Sequence, residues 1–499
     1  SDVLPRFQFV PGEDGSHHFV YLDDIVRDNV GLVFQGFNVL ECKSVKLNKD
    51  ADLHIDDEYS GDLVEKIQKQ IQKRNLGTPS RFLYDKSMSM EMVNYFTMAF
   101  NLKESDLVAG GRYHNLSDYF QVFNPSTNDL EYEKLSPLRS SSLDAYQSIL
   151  EAISDRDHLL HFPYQTYDYV LQFFSEAAID PDVEEIYVTF YRMAKDSVIG
   201  EALISAANNG KKVIVFMEVK ARFDEENNLL WSTRMKNAGI KIIYSIPGLK
   251  VHAKVALVRK KDKSFGFFGT GNLNEKTAKI YCDYGLLTCD EGMTSELLQV
   301  FKFLHKKKTP ENFSDLIVSQ FNAIPTFTSL IEREIAAAKK GQPARIVIKV
   351  NNLEEQDMIA NLYQAAEAGV TVTVLARSIC CLVPQTLGIK VVRLVDRYLE
   401  HARVFYFHNE GREEVYLGSS DWMKRNLHHR VEVSFPIKEQ TLKDQIITII
   451  NLQLADNMNA VTLDEQMQNN PVPPAEPAVN AQLSTYHQVA TWNSPEENQ

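Results

Sequence analysis

The sequence predicts an α/β protein in which one α/β unit occurs twice, behind a mainly helical region. Three observations predict it. From about Leu138 onward, helical and strand patterns alternate, as in a sheet covered by helices. His252 has a basic residue two positions on, Lys254, and the small-residue turn Gly269-Thr270-Gly271-Asn272 begins at +17 (269 − 252). The arrangement returns at His401 and Arg403, with Gly418-Ser419-Ser420-Asp421 again beginning at +17 (418 − 401). The lead-in repeats as well: Ala206-Ala207-Asn208-Asn209-Gly210 precedes the apolar run Val213–Met217, and Ala365-Ala366-Glu367-Ala368-Gly369 precedes Val370–Leu375. A long-period duplication gives two equivalent half-sites, which usually face each other across one cleft. The expected divisions are a mainly helical domain over 1–137, incomplete at its start, and α/β domains over 138–318 and 319–499, the last with a C-terminal tail.

Taken in order, the first region shows one clear helix. Leu63, Val64, Ile67 and Ile71 form an apolar stripe among Lys and Gln, after Asp56, Asp57 and Glu58 and before Gly77-Thr78-Pro79. No catalytic constellation falls in this region, and the opening Leu4-Pro5-Arg6-Phe7 reads like the interior of a longer protein. Beyond Leu138, Val170, Leu171, Phe173, Phe174 and Ala177 mark a helix, and Glu185–Tyr191 a strand ending at Arg192. Helix, strand and helix then recur through Lys241–Tyr244 to a strand over Leu249–Leu257 that holds His252. Arg192 and Arg222 each follow a strand's C-terminal end, where open α/β sheets place their ligands. The second copy begins near Ser319, with a turn at Lys339–Pro343, a strand at Arg345–Val350, and Arg377 placed after its strand much as Arg222 is. The last thirty or so residues, with Pro471, Pro473, Pro474 and Pro477, read as an extended tail, packed on the surface or disordered.

Composition narrows the chemistry. Of 499 residues, 44% are apolar and 24% charged, which fits several globular domains. No apolar run approaches the ~18 residues of a membrane span. Five cysteines without a CxxC argue for a reducing compartment and against a zinc site. A net charge of −14 argues against a surface that coats nucleic acid, yet Lys211, Lys212, Lys220, Arg222, Lys250, Lys254, Lys276 and Lys279 gather around the motifs. An acidic protein with a locally basic cleft points to an anionic substrate.

His252 and Lys254 sit two apart, so on a strand they share a face. A neutral imidazole is a nucleophile near pH 7, and a neighbouring ammonium can hold the anion it attacks. A core histidine beside a surface lysine is the plainer account of one such pair; the second copy argues against it. Arg192 and Arg222 fit a bidentate phosphate clamp. One rival is a phospholipase D-like phosphodiesterase, whose motif wants Asp seven positions after the histidine; Arg259 and His408 stand there. The other is an inactive phosphate-binding scaffold.

Longer runs carry a family resemblance. Phe190-Tyr191-Arg192, Glu218-Val219-Lys220-Ala221-Arg222-Phe223-Asp224-Glu225, Val251-His252-Ala253-Lys254 and Gly269–Ala278 belong to it, as do Arg377-Ser378-Ile379-Cys380-Cys381-Leu382, Leu399-Glu400-His401 and Ser420-Asp421-Trp422-Met423. Over nearly its whole length the chain resembles the type-1 polyphosphate kinase family, whose two C-terminal domains resemble phospholipase D. The resemblance implies reversible transfer of the ATP γ-phosphate to inorganic polyphosphate, with His252 as the phosphorylated nucleophile and His401 as a second essential histidine. It implies that Tyr281 and Arg377 contact the nucleotide and that Arg192 and Arg222 stand at the phosphate and magnesium positions; in such a transfer Lys254 and Arg403 are expected to stabilise the moving phosphoryl group, and Asn272 and Ser420 to orient the histidines or the phosphate. Arginine offers no lone pair, so Mg²⁺ is expected on phosphate oxygens and water. ATP or ADP and polyphosphate are the implied partners, without specific nucleic acid. The parent protein is expected to be a homo-oligomer in the cytoplasm, peripheral at the inner membrane. The family also carries a helical N-terminal domain that supplies an asparagine to the nucleotide and helps dimerisation; this chain is expected to begin after it.

Overall fold

The apolar runs that sequence places between helices become strands buried on both faces. Val255, Ala256, Leu257 and Val258 are all buried, as helix-covered sheets require. The computed structural model describes residues 4–49, 65, 79–125, 130–221, 224–244, 248–306, 308–384 and 388–493. The chain divides into two compact units, 1–134 and 135–499.

The first unit, expected to be mainly helical, carries strands as well among its described residues. Phe7–Pro11 and His17–Tyr21 pair antiparallel, and Pro79–Asp85 is the centre of a three-stranded sheet with Val45–Lys49 and Leu107–Gly110. Helix Met90–Ala99 starts at Ser89, whose hydroxyl accepts from the Met92 N–H. The helix expected from Leu63 to Ile71 lies, but for Glu65, outside the described residues.

The second unit holds two large sheets of the same plan. In the first, Lys254–Lys260 runs antiparallel between Val183–Phe190 and Ser264–Gly269, and Lys212–Met217 and Lys241–Tyr244 extend the parallel side. In the second, Arg403–Phe407 lies between Arg345–Val350 and Glu414–Gly418, followed by Thr371–Ala376 and Lys390–Leu394. The register agrees residue for residue: Lys254 faces Gly269, and Arg403 faces Gly418.

Two short parallel pairings stitch the sheets together. Lys250–Val251 joins Arg430–Val431, and Leu399–Glu400 joins Tyr281–Cys282. One buried cluster spans both, including Val255, Leu257, Phe268, Leu286, Val404, Leu417 and Phe435. Burying each such side chain contributes about 1.5–3 kcal/mol, so the halves are held as one body. Trp422 is fully buried against Phe327 and Phe405, at 5.3 and 5.6 Å between ring centroids, and anchors the turn that carries Asp421.

The C-terminal stretch differs from the extended tail expected of it. Asn469–Pro471 pairs with Ala460–Leu463, and Ala481–Trp492 is a helix, capped by Asn480, with Ala481 and Val489 fully buried. The prolines precede this helix rather than interrupt it, so its apolar positions are free to pack.

Candidate active site

His252 lies where a strand breaks. Instead of one strand over Leu249–Leu257 there are two, Lys250–Val251 and Lys254–Lys260, with His252 and Ala253 between them. The backbone N–H groups of both residues donate to the Val431 carbonyl, at 2.9 and 3.0 Å. The imidazole then meets Glu432, with Nδ1 2.9 Å from each carboxylate oxygen. An ionised carboxylate only accepts, so Nδ1 carries the proton and Nε2 keeps its lone pair. Glu432 is fixed in turn by the Ser419 hydroxyl at 2.5 Å and the Asn426 amide at 2.6 Å. Tyr191 stands edge-on to the imidazole, 4.8 Å between centroids. Burial first, then Lys254, Arg430 and Arg403, holds His252 well below its ordinary pKa, so it is neutral at pH 7. Burial pushes Glu432 up.

His401 repeats the arrangement from the other side. His401 and Ala402 N–H groups donate to the Cys282 carbonyl, at 3.2 and 2.8 Å, and Nδ1 lies 2.9 and 2.8 Å from the oxygens of Asp283. The Thr270 hydroxyl holds Asp283 at 2.6 Å. Burial works to raise Asp283, but His401, Thr270 and Arg403 keep it below its ordinary value. Burial lowers His401, helped by Arg403 and Lys254 and opposed by Asp283. The Tyr281 ring packs against His401 at 5.0 Å.

Each histidine is therefore oriented by a carboxylate of the opposite half. Reasoning from sequence missed both acids, although a signal was present. Asp283 stands at +31 from His252 (283 − 252), and Glu432 stands at +31 from His401 (432 − 401). The small-residue turn has its reason here: a Cβ on Gly271 would meet an Asp283 oxygen at 2.1 Å.

The basic residues at +2 differ between the halves. Lys254, 2% exposed, donates to the His252 carbonyl, and burial holds it well below its ordinary pKa. Arg403 donates to the His401 carbonyl at 2.9 Å, lies 3.4 Å from His401 Nε2 and forms an ion pair with Asp421 at 3.0 Å. Among the described residues no such donor reaches His252 Nε2. Arg403 bears on His252 and Lys254 on His401, so the two half-sites share one electrostatic neighbourhood.

The remaining candidates fall as follows. Arg192 pairs with Asp224 at 2.9 Å and lies over the Tyr191 ring; Arg222 lies outside the described residues. Arg377 Nε donates to Asn351 at 2.8 Å, and Asn351 donates to the His401 carbonyl, which brings Arg377 to the second half-site. In the sheet register the counterpart of Arg377 is Glu218, one past Met217, rather than Arg222. Among the described residues Asn272 Oδ1 is buried without a partner, and Ser420 bonds the Asp421 carbonyl, so neither orients a histidine. Lys211 and Lys212 leave the basic cluster. They serve the far end of the sheet, where Lys211 bonds the Val183 carbonyl and Lys212 pairs with Glu185. Arg259 and His408 lie at the far ends of the strands that Lys254 and Arg403 begin.

Among the described residues no group of three or more His, Cys, Asp or Glu side chains is placed to hold a metal ion. An all-protein cage for a magnesium ion is therefore not found among the described residues.

Three family models match in series. They are the polyphosphate kinase middle domain over residues 1–122, C-terminal domain 1 over 148–310 and C-terminal domain 2 over 316–482. The chain belongs to the polyphosphate kinase family. The polyphosphate kinase of Escherichia coli K12 is 38% identical over 513 aligned residues, covering 99% of this chain and 75% of that protein. The Vibrio parahaemolyticus polyphosphate kinase is 37% identical over 487 residues, covering 95% of this chain and 70% of its own length. The crystal structure of polyphosphate kinase from Porphyromonas gingivalis matches with a TM-score of 0.85 at 39% identity, over 98% of this chain and 74% of that one. His252 falls in the first matched C-terminal domain and His401 in the second.

Proposed function

We propose that this polyphosphate kinase family member moves the γ-phosphoryl group of ATP onto inorganic polyphosphate, and back, through a phosphohistidine at His252. The observation that carries this reading is the open Nε2 lone pair of a neutral His252 whose Nδ1 proton is held by Glu432. In the first step Nε2 attacks the γ-phosphorus in line. The P–N bond forms, the bond to the bridging oxygen breaks, and ADP leaves with that electron pair. In the second step a terminal oxygen of polyphosphate attacks the same phosphorus, and the P–N bond returns its pair to Nε2. The covalent intermediate lets one site serve two acceptors in turn. Glu432 keeps the Nδ1 proton in place and offsets the positive charge that the ring gains.

Charge on the transferring oxygens is met by Lys254 and Arg403, with Arg192 and Arg222 as a forked clamp on the phosphate chain. His401, held by Asp283, serves the phosphate from the second half. Tyr281 and Arg377, which flank His401, suit a nucleotide base and its phosphates. Mg²⁺ is expected to arrive on the phosphate oxygens of ATP, where it would offset their charge. The five cysteines are free, in keeping with a reducing, ATP-supplied cytoplasm.

Incubation with γ-labelled ATP tests the reading. The expected product is an acid-labile, alkali-stable label that maps to His252 and is discharged by ADP or by polyphosphate. A chain that takes no such label, or takes it on another residue, overturns it. A phosphodiesterase or an inactive scaffold would leave the protein unlabelled.

A further inference from the structure

From the two histidines onward the halves match position for position, their numbering differing by a constant 149 (401 − 252). Lys254 corresponds to Arg403, Thr270 to Ser419, and Asn272 to Asp421. Asp421 is buried and does two things. It pairs with Arg403 at 3.0 Å, and it accepts from Asn351 N–H and the Asn352 amide, both at 2.9 Å. The second half thus carries its own counter-ion. In the first half that place is taken by a neutral amide, and the Asn272 Oδ1 is buried with no partner among the described residues. Lys254 makes its hydrogen bond to the His252 carbonyl, and no carboxylate lies within ion-pair distance of it among the described residues. Glu432 is the acid that bears most strongly on it, but its oxygens are engaged by His252, Ser419 and Asn426; Asp283 is engaged by His401 and Thr270. Arg403 and Arg430 push against the ammonium from the second half, and the Tyr191 ring lies 5.5 Å from it.

We propose that the first half-site, rather than the second, takes the phosphoryl group because Asn272 leaves Lys254 without a counter-ion, so that the anionic substrate itself completes the pair. This rests on the phosphohistidine reading above and says what selects one of two similar histidines. A buried cation without a partner is unfavourable. A phosphoryl oxygen beside His252 relieves that, whereas at His401 the same oxygen has to compete with Asp421 for Arg403. The ligand class is a condensed phosphate, whose terminal group supplies the missing charge.

The test is a calorimetric titration with tripolyphosphate of the full chain and three variants. Asn272→Asp, which installs the counter-ion of the second half, is expected to weaken binding at least tenfold, and Asn272→Ala several-fold less than that. Lys254→Met is expected to weaken binding at least tenfold while raising the melting temperature, because it removes an uncompensated buried charge. This variant keeps the test sound if Asn272→Asp folds poorly. Three outcomes overturn the proposal: tripolyphosphate bound equally by Lys254→Met and the parent chain, an Asn272→Ala loss as large as that of Asn272→Asp, or no binding by the parent chain. Mapping the label from ATP separates this from the reading beneath it. Affinities in the expected order without label on His252 support the charge argument and overturn the phosphohistidine.

Discussion

In the first half-site His252 donates a hydrogen bond from Nδ1 to Glu432 and keeps Nε2 open, beside a lysine with no acid within ion-pair distance among the described residues. In the second, His401 gives Nδ1 to Asp283, while an arginine paired to Asp421 stands 3.4 Å from Nε2. The backbone is the same in both: a strand broken at the histidine, two N–H groups on one carbonyl of the other half, and a hydroxyl on the acid. Duplication can therefore preserve geometry to the residue and still yield two chemically distinct histidines. A few side chains do it, by deciding whether a lone pair is free and whether a cation is satisfied.

The comparison breaks most readily at the histidines themselves. His252→Gln should reduce labelling from ATP to background, whereas His401→Gln should leave label on His252 and slow the overall transfer. Equal loss of label in both variants would mean that the halves are not distinct in the way their hydrogen bonds suggest.

Exchanging the acids sharpens the point. Glu432→Gln replaces a pure acceptor by a group that can also donate, so Nδ1 is no longer obliged to carry the proton. Labelling should fall by up to roughly 10⁴-fold, as when the acid that fixes a catalytic imidazole's tautomer is replaced by its amide. Asp283→Asn should slow labelling less, because it acts on the other ring. Rapid-quench measurement of the first turnover distinguishes them.

Arg192 follows the strand Val183–Phe190 at the place that Asn352 takes in the second half. Arg192→Lys keeps the charge but loses the fork, and should lower transfer roughly tenfold with a melting temperature within a few degrees of the parent. Unimpaired turnover would show this arginine to be a surface charge paired to Asp224.

Acidity gives a smaller, graded effect. Since the folded-state pKa of His252 is depressed, labelling should persist as pH falls below the ordinary histidine value of about 6.5. A fall centred on that value would show the ring to be solvated. Stability should follow the same sign. His158, His252 and His401 are lowered by burial, and His161 is lowered to about 4. The unfolded chain then binds protons first, so stability is lost as pH drops from about 6.5 towards 4. Asp157, pushed up to about 6 by burial, works the other way over part of that window. Thermal melts of the parent and of His161→Gln across this range measure the histidine share.

The smallest expected change is Ser419→Ala. It deletes a hydrogen bond to a buried carboxylate and the acceptor of the Val433 N–H, at a cost of about 1–3 kcal/mol, and Thr270→Ala, which likewise frees Asp283 and the Tyr284 N–H, should behave alike. Chemical denaturation reads both, and a neutral result would mean that the acids are held by their remaining partners.

Much of this was legible in the chain itself. The helix–strand alternation, the two histidines, the basic residues at +2 and the turns at +17 are local patterns, set by the period of a strand and the small residues a tight turn needs. Gly271 and Trp422 belong to those turns, and the structure gives their reasons: close approach to Asp283 for one, a buried stack for the other. The helix Ala481–Trp492 was hidden by the prolines before it, and the strands of the first unit by their shortness.

Sequence alone determined that there are two half-sites and which imidazoles they hold. Only the tertiary structure decided that the halves exchange their acids. His252 and Glu432 stand 180 residues apart, and His401 and Asp283 stand 118 apart. The shared +31 spacing marks Asp283 and Glu432 as equivalent, but it is as consistent with each acid serving its own histidine as with the swap. The choice is made by Lys250–Val251 pairing with Arg430–Val431 and Leu399–Glu400 with Tyr281–Cys282. Those pairings follow from how two sheets bury one shared core, a property of the packed chain that no local spacing encodes.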